Sequence, residues 1–201
     1  ATSREHEIWQ DRGGLLNIAG GKLTTYRVMA SEAADEAARI LRERDGVESA
    51  KSRTEDLPLP AAPREPWDDF AARIRAAAAE LGLDEPVALH LARFYGEEAA
   101  AVLDDVRRDP ALGTRLVPTL PYLRAEIARA VRCEMALTLE DLLVRRLHLF
   151  YEARDGGLGV AREVAERMAA EAGIGWDAAE VERQVERYRQ AVADTRGFGA
   201  A

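Results

Sequence analysis

Eight consecutive residues, Gly20-Gly21-Lys22-Leu23-Thr24-Thr25-Tyr26-Arg27, could do chemistry. The apolar run Leu15-Leu16-Asn17-Ile18-Ala19 ends at two glycines, which let the backbone turn sharply and let a ligand approach where a Cβ would stand. From Leu23 to about Arg44 the apolar spacing is helical, carried by Tyr26, Met29, Ala33, Ala37, Ile40 and Leu41. A helix start offers backbone N–H groups without internal partners and a partial positive charge. Lys22 adds a full charge there and Thr24 and Thr25 add hydroxyls, so the segment suits an anionic or electron-rich oxygen. An ordinary strand-to-helix turn carrying a solvated lysine is the other reading of the spacing. Neither the GxxxxGK phosphate loop nor the GxGxxG dinucleotide fingerprint is present.

The elements that must position this turn are a strand at His6-Glu7-Ile8-Trp9, a turn at Asp11-Arg12-Gly13-Gly14 and a second strand from Leu15. A proline-rich stretch, Leu57 to Pro66, cannot continue a helix, and residues 46–66 are expected to form an extended linker. Beyond it, apolar residues recur at helical spacing to the end. Trp67 to Leu81, Pro86 to Tyr95, Glu97 to Arg108, a face of Leu123, Ile127, Val131 and Met135, and a face of Leu139, Leu142, Leu143, Leu147 and Phe150 each predict a helix. Two more carry Val160, Val164 and Met168, then Val181, Val185, Tyr188 and Val192. Thr138 ahead of Glu140-Asp141 predicts a helix cap. The expected fold is mainly α: a multi-helix domain over 67–195 with a tail at 196–201, preceded over 1–45 by a short strand-turn-strand-helix segment.

The turn does not stand alone. With Thr2-Ser3-Arg4-Glu5-His6 before it, Gly14-Leu15-Leu16 beside it and Val28-Met29-Ala30 after it, it closely resembles the FAD-dependent glycerol-3-phosphate dehydrogenase family. Tyr95-Gly96, Ala125-Glu126-Ile127, Arg132-Cys133-Glu134-Met135-Ala136 and Leu139 to Arg146 resemble that family's helical C-terminal domain. The resemblance implies oxidation of sn-glycerol 3-phosphate to dihydroxyacetone phosphate, with the hydride passed to FAD and the electrons to membrane quinone. It implies that residues 1–45 end an FAD-binding α/β domain, with Gly20, Gly21, Lys22, Leu23 and Thr24 against the flavin. It also places Lys22 and Arg4 at the substrate, where a guanidinium can clamp phosphate with two hydrogen bonds. Leu23 and Thr24 would act mainly through backbone groups. The family's N-terminal FAD fingerprint is not in these residues, and the first residues lack an initiator Met and read like the middle of a protein. No complete catalytic set is expected, so the chain by itself is expected neither to hold FAD firmly nor to turn over. Its partners would be the FAD domain of the same protein, glycerol 3-phosphate, quinone and a second copy, in the cytoplasm or peripherally at the inner face of the cytoplasmic membrane. A stand-alone helical interaction module with a vestigial N-terminal segment is the alternative.

Composition narrows the rest. The 201 residues carry 28 Lys+Arg against 36 Asp+Glu, and this acidic balance argues against nonspecific nucleic-acid binding. Lys22 and Lys51 are the only lysines; all other basic residues are arginine. No apolar run is long enough for a transmembrane helix. His6, His90 and His148 lack the spacing that sets two ligands on one helix face, so no metal site is expected; His90 is expected to be a packed or surface residue. The single Cys133 is expected to be a small core residue. Arg145 and Arg146 are expected to meet Glu126 or Glu134 in structural ion pairs.

Overall fold

The computed structural model describes residues 5–196, which divide into two compact units at Pro60. In the first, β1 (His6–Gln10) and β2 (Leu16–Gly20) pair antiparallel with Ile8 opposite Ile18 and His6 opposite Gly20. The connecting turn is fastened by Asp11, whose carboxylate accepts from the Gly13 and Leu15 amides. A 3-10 turn over Leu23–Thr25 leads into α1 (Tyr26–Asp45), which ends where Gly46, at φ 69°, donates back to Arg42. The His6 ring meets Glu32 of α1 at 2.7 Å and so ties strand to helix. Among the described residues of this unit none is buried. Leu15, Leu23 and Tyr26 lie largely in the open. A unit of this size without a buried core gains almost nothing from the hydrophobic effect.

The second unit contains the core. Its helices are α2 (Trp67–Glu80), α3 (Glu85–Tyr95), α4 (Ala99–Arg108), α5 (Ala125–Glu134), α6 (Leu149–Glu152), α7 (Leu158–Ala169) and α8 (Ala178–Arg196). One apolar cluster joins α2, α3 and α4 through Phe70, Ile74, Leu91 and Leu103. A second joins α5 to α8 through Ile127, Leu142, Val164 and Tyr188. Each such large side chain removed from water contributes about 1.5–3 kcal/mol. Between the clusters runs a hairpin-like loop, held by Leu116 donating to Tyr122 at 2.9 Å and Arg124 donating to Thr114 at 3.0 Å. Asp84 caps α3 by accepting from Val87 and also takes two hydrogen bonds from Arg115 of that loop.

Three expectations need correction. The segment from Leu139 to Phe150 is not one regular helix: Asp141–Arg146 forms a π-helical stretch, and His148 at φ 53° breaks the chain before α6. Leu139, Leu142, Leu143 and Leu147 of the expected face are still buried, but past the break at His148 it is Leu149 that is buried while Phe150 is only partly so. Cys133 is exposed rather than a core residue. It is on the last turn of α5, just before Met135 leaves the helix in the left-handed conformation with three-quarters of its surface open. The ion-pair expectation holds for Arg146, whose guanidinium pairs with the Glu134 carboxylate at 3.6 Å and also donates to the Glu134 carbonyl at 2.6 Å, but not for Arg145, which pairs with Asp141. The Thr138 cap forms as expected, its hydroxyl accepting from the Asp141 amide while the Asp141 carboxylate accepts from Thr138 and Leu137. No helix is long and apolar enough to cross a membrane, among the described residues.

The helical unit begins upstream of α2, because the Ala61 carbonyl accepts from the Glu97 amide at 2.9 Å. Gly96, at φ 53°, allows this approach; a Cβ there would be driven into the Ala61 carbonyl. We expect Gly96→Ala to cost about 2 kcal/mol or more in urea unfolding, from the left-handed backbone and the lost approach together. Wild-type stability in that variant would show that the Ala61 strap does not matter.

Candidate functional site

The turn singled out in the sequence is built as a constrained loop. Gly20 and Gly21 both adopt positive φ, 85° and 82°. A Cβ on Gly20 would lie 2.6 Å from the Glu5 carbonyl oxygen, and one on Gly21 would lie 2.5 Å from the Met29 sulfur. Gly20 admits no side chain without moving the strand start, whereas at Gly21 the end of the Met29 side chain could swing aside and it is the positive φ that disfavours a Cβ. Lys22 is extended, at φ −133° and ψ 151°, and opens the 3-10 turn. The Thr25 hydroxyl donates to the Lys22 carbonyl at 3.0 Å, and the Thr25 amide donates to the same oxygen at 3.0 Å. The side chains of Lys22, Leu23 and Thr24 are exposed, Leu23 at 90%. The Lys22 ammonium forms no ion pair among the described residues. The structure thus brings Gly20, Gly21, Lys22, Leu23 and Thr24 together on one exposed turn. Arg4, the other expected substrate residue, lies outside the described residues.

Chemically the turn can present an ammonium and the unpaired amides that open a helix to an electron-rich oxygen. No group of three or more His, Cys, Asp or Glu residues is placed to hold a metal, among the described residues.

A second polar centre lies in the helical unit, and sequence reasoning did not find it. Glu126 on α5 has no exposed surface. One of its oxygens meets His90 Nε2 at 2.7 Å and accepts from the Tyr95 hydroxyl at 2.8 Å; the other accepts from the Leu123 amide at 2.6 Å. Burial, reinforced by the Glu126 carboxyl, pushes the Tyr95 phenol well above its ordinary range. The Tyr95 ring also carries the Arg129 guanidinium over its face, 5.3 Å from the centroid. The signal was available only in part. Tyr95-Gly96 and Ala125-Glu126-Ile127 were both noted, but 31 residues separate Tyr95 from Glu126 and no periodicity links them.

Six carboxylates of the helical unit sit below their ordinary range, Glu97, Glu180 and Glu182 among them through side-chain hydrogen bonds with Arg73, Gln184 and Arg162. The Arg115 guanidinium does this for Asp84. For Asp141, burial opposes the shift, and hydrogen bonds from Thr138 and Leu137, with Arg145 nearby, outweigh it. For Glu163, burial likewise opposes, and Arg124 and Arg167 win. A depressed folded pKa stabilises above the unfolded value and loses that stability as pH falls through the folded one. The helical unit should therefore keep its full stability above about pH 5 and lose it progressively below about pH 4. Separately, Glu126→Ala leaves His90, Tyr95 and the Leu123 amide without their buried acceptor and should cost about 3 kcal/mol. Urea unfolding across pH checks both; flat stability down to about pH 3 would contradict the first, and a loss below about 1 kcal/mol the second.

Residues 52–181 match the family model described as the C-terminal domain of alpha-glycerophosphate oxidase. Glycerol-3-phosphate dehydrogenase 2 of Mycobacterium tuberculosis is 39% identical over 189 residues, covering 92% of this chain and 30% of that protein. The mitochondrial glycerol-3-phosphate dehydrogenase of Homo sapiens is 31% identical over 200 residues, covering 98% of this chain and 26% of its own length. Among solved structures, the glycerol-3-phosphate dehydrogenase of Bacillus halodurans complexed with FAD aligns with a TM-score of 0.74 at 26% identity, over 93% of this chain and 37% of that one. The chain thus spans about a third or less of the proteins it matches.

Proposed function

The chain belongs to the family of the C-terminal domain of alpha-glycerophosphate oxidase, and from that premise we propose that it works as the C-terminal part of an FAD-dependent glycerol-3-phosphate dehydrogenase. In this reading residues 1–45 complete the FAD-binding domain, 46–66 link it to the helical domain over 67–195, with the end of that linker from Ala61 already packed as part of the helical unit, and 196–201 are a tail. The observation that carries the reading is the first unit: a strictly constrained glycine turn on a scaffold that has no buried residue of its own. Such a scaffold gains its stability by packing against other residues, and the relatives are about three times as long as this chain. The alternative, a stand-alone helical module, accounts for the helical core but leaves the glycine-constrained turn without a purpose.

The residues present fit one edge of a flavin rather than the whole group. Gly20 and Gly21 bring backbone close, and the amides at Leu23 and Thr24 stand at a helix entrance suited to an oxygen that gathers negative charge. When bound, the flavin supplies the hydride acceptor. Lys22 would hold the substrate phosphate and keep the reacting carbon in place, with Arg4 as a second clamp on the phosphate. The glycine turn and α1 would hold the Lys22 backbone in register and leave its long side chain to reach the substrate. The substrate of this reading is sn-glycerol 3-phosphate, the product dihydroxyacetone phosphate and the final electron acceptor quinone. The place of action is the cytoplasm or the inner face of the cytoplasmic membrane.

Two outcomes test the reading. In a protein joining this chain to an FAD-binding domain, Lys22→Ala should lower kcat/KM for glycerol 3-phosphate by about ten- to a hundredfold, as loss of a charged hydrogen bond does. Its melting temperature should stay unchanged; unchanged kinetics would reduce the turn to scaffolding. The 201-residue chain mixed with FAD should remain colourless after gel filtration. A stoichiometric yellow complex with dehydrogenase activity would overturn the division of labour proposed here.

A further inference from the structure

α1 supports the glycine turn at two points. The Met29 sulfur stands 2.5 Å from where a Gly21 Cβ would be, so this side chain occupies the space that the missing Cβ leaves. The second point is Thr25, the residue just before α1. A threonine there ordinarily turns its hydroxyl forward and accepts from an amide of the helix's first turn. Thr25 does not, for its side chain makes no cap hydrogen bond to α1. It turns backward instead, and its hydroxyl donates to the Lys22 carbonyl at 3.0 Å. The Thr25 amide donates to the same carbonyl, also at 3.0 Å. The Lys22 amide in turn donates to the Thr25 hydroxyl oxygen across 3.4 Å.

The backbone on both sides of the Lys22 Cα is thus tied to one residue. The flanking N and C atoms set the direction of a Cα–Cβ bond, so these ties fix where the Lys22 side chain leaves the chain. Its ammonium rides on a flexible stem and forms no ion pair among the described residues. The root of the side chain is therefore the part that can be fixed in advance. Threonine suits this task because its β-branch stiffens χ1 and keeps the hydroxyl aimed.

We propose, on the reading that Lys22 binds glycerol 3-phosphate, that Thr25 is a positioning residue for it: the Thr25 hydroxyl holds the root of the Lys22 side chain so that the ammonium meets the substrate phosphate. Thr25 acts only through Lys22 and touches neither substrate nor flavin.

The test uses the protein joining this chain to an FAD-binding domain. Thr25→Val keeps the branched shape and removes the hydroxyl. It should raise KM for glycerol 3-phosphate about three- to tenfold, as loss of a neutral hydrogen bond does, with kcat little changed. Calorimetric affinity for dihydroxyacetone phosphate should weaken by the same factor. Thr25→Ser keeps the hydroxyl and should stay within about twofold of wild type in both. In a Lys22→Ala background Thr25→Val should have no further effect, since a residue acting through another is silent once that other is gone. Bound FAD per chain should match wild type throughout. Wild-type KM and affinity in Thr25→Val, beside an impaired Lys22→Ala, would overturn the proposal and leave the Lys22 reading standing. An unimpaired Lys22→Ala would overturn both. Full additivity of the two defects, loss of FAD from Thr25→Val, or a Thr25→Ser as impaired as Thr25→Val would each overturn the proposal alone.

Discussion

The helical unit depends on a carboxyl group that water cannot reach. Burying such a group is costly unless its oxygens are satisfied, and Glu126 is satisfied by three donors from three places: His90 and Tyr95 on α3 and the Leu123 amide just ahead of α5. Those donors fix how α3 meets α5, and α5 lies where the two apolar clusters adjoin. Packing alone would allow helices with generic leucine and alanine faces to slide. A hydrogen-bonded carboxyl permits one register, because any displacement strands a polar group. The Arg115–Asp84 pair and the Arg129 guanidinium over Tyr95 support the same arrangement from the outside.

The two units differ in what holds them. The helical unit buries aromatic and aliphatic side chains in the ordinary way and closes its ends with identifiable caps. The N-terminal unit is specified by backbone instead: positive φ at two glycines, a strand pair in register, and a helix that starts immediately afterwards. Its apolar residues are at the surface. Local geometry without burial is what a ligand-facing edge of a larger domain needs, and what a free-standing domain cannot use.

Much of this was legible in the sequence, for reasons particular residues make plain. Strand, glycine turn and helix appeared because Gly20-Gly21 separates a strand pattern from a helical one, and the Thr138 cap appeared because its hydroxyl precedes an acidic first turn. Features set by distant residues did not appear. Nothing local to His90 announces that Glu126 will meet it 36 positions later. The π-helical stretch at Asp141–Arg146 buries the same leucines that a regular helix would, so periodicity cannot distinguish the two. Cys133 is expected inside because a lone cysteine usually packs as a small apolar residue, yet it lies two positions from Val131, off the apolar face, and faces solvent on the last turn of α5.

Residue-resolved hydrogen exchange on the chain tests the central claim, that the helical unit supports itself while the N-terminal unit relies on residues outside it. The account expects amides of α3, α5 and α7 to exchange only through near-global opening, whereas those of Ile8, Ile18 and mid-α1 exchange with little protection. Protection at Ile8 and Ile18 equal to that of α5 would contradict it.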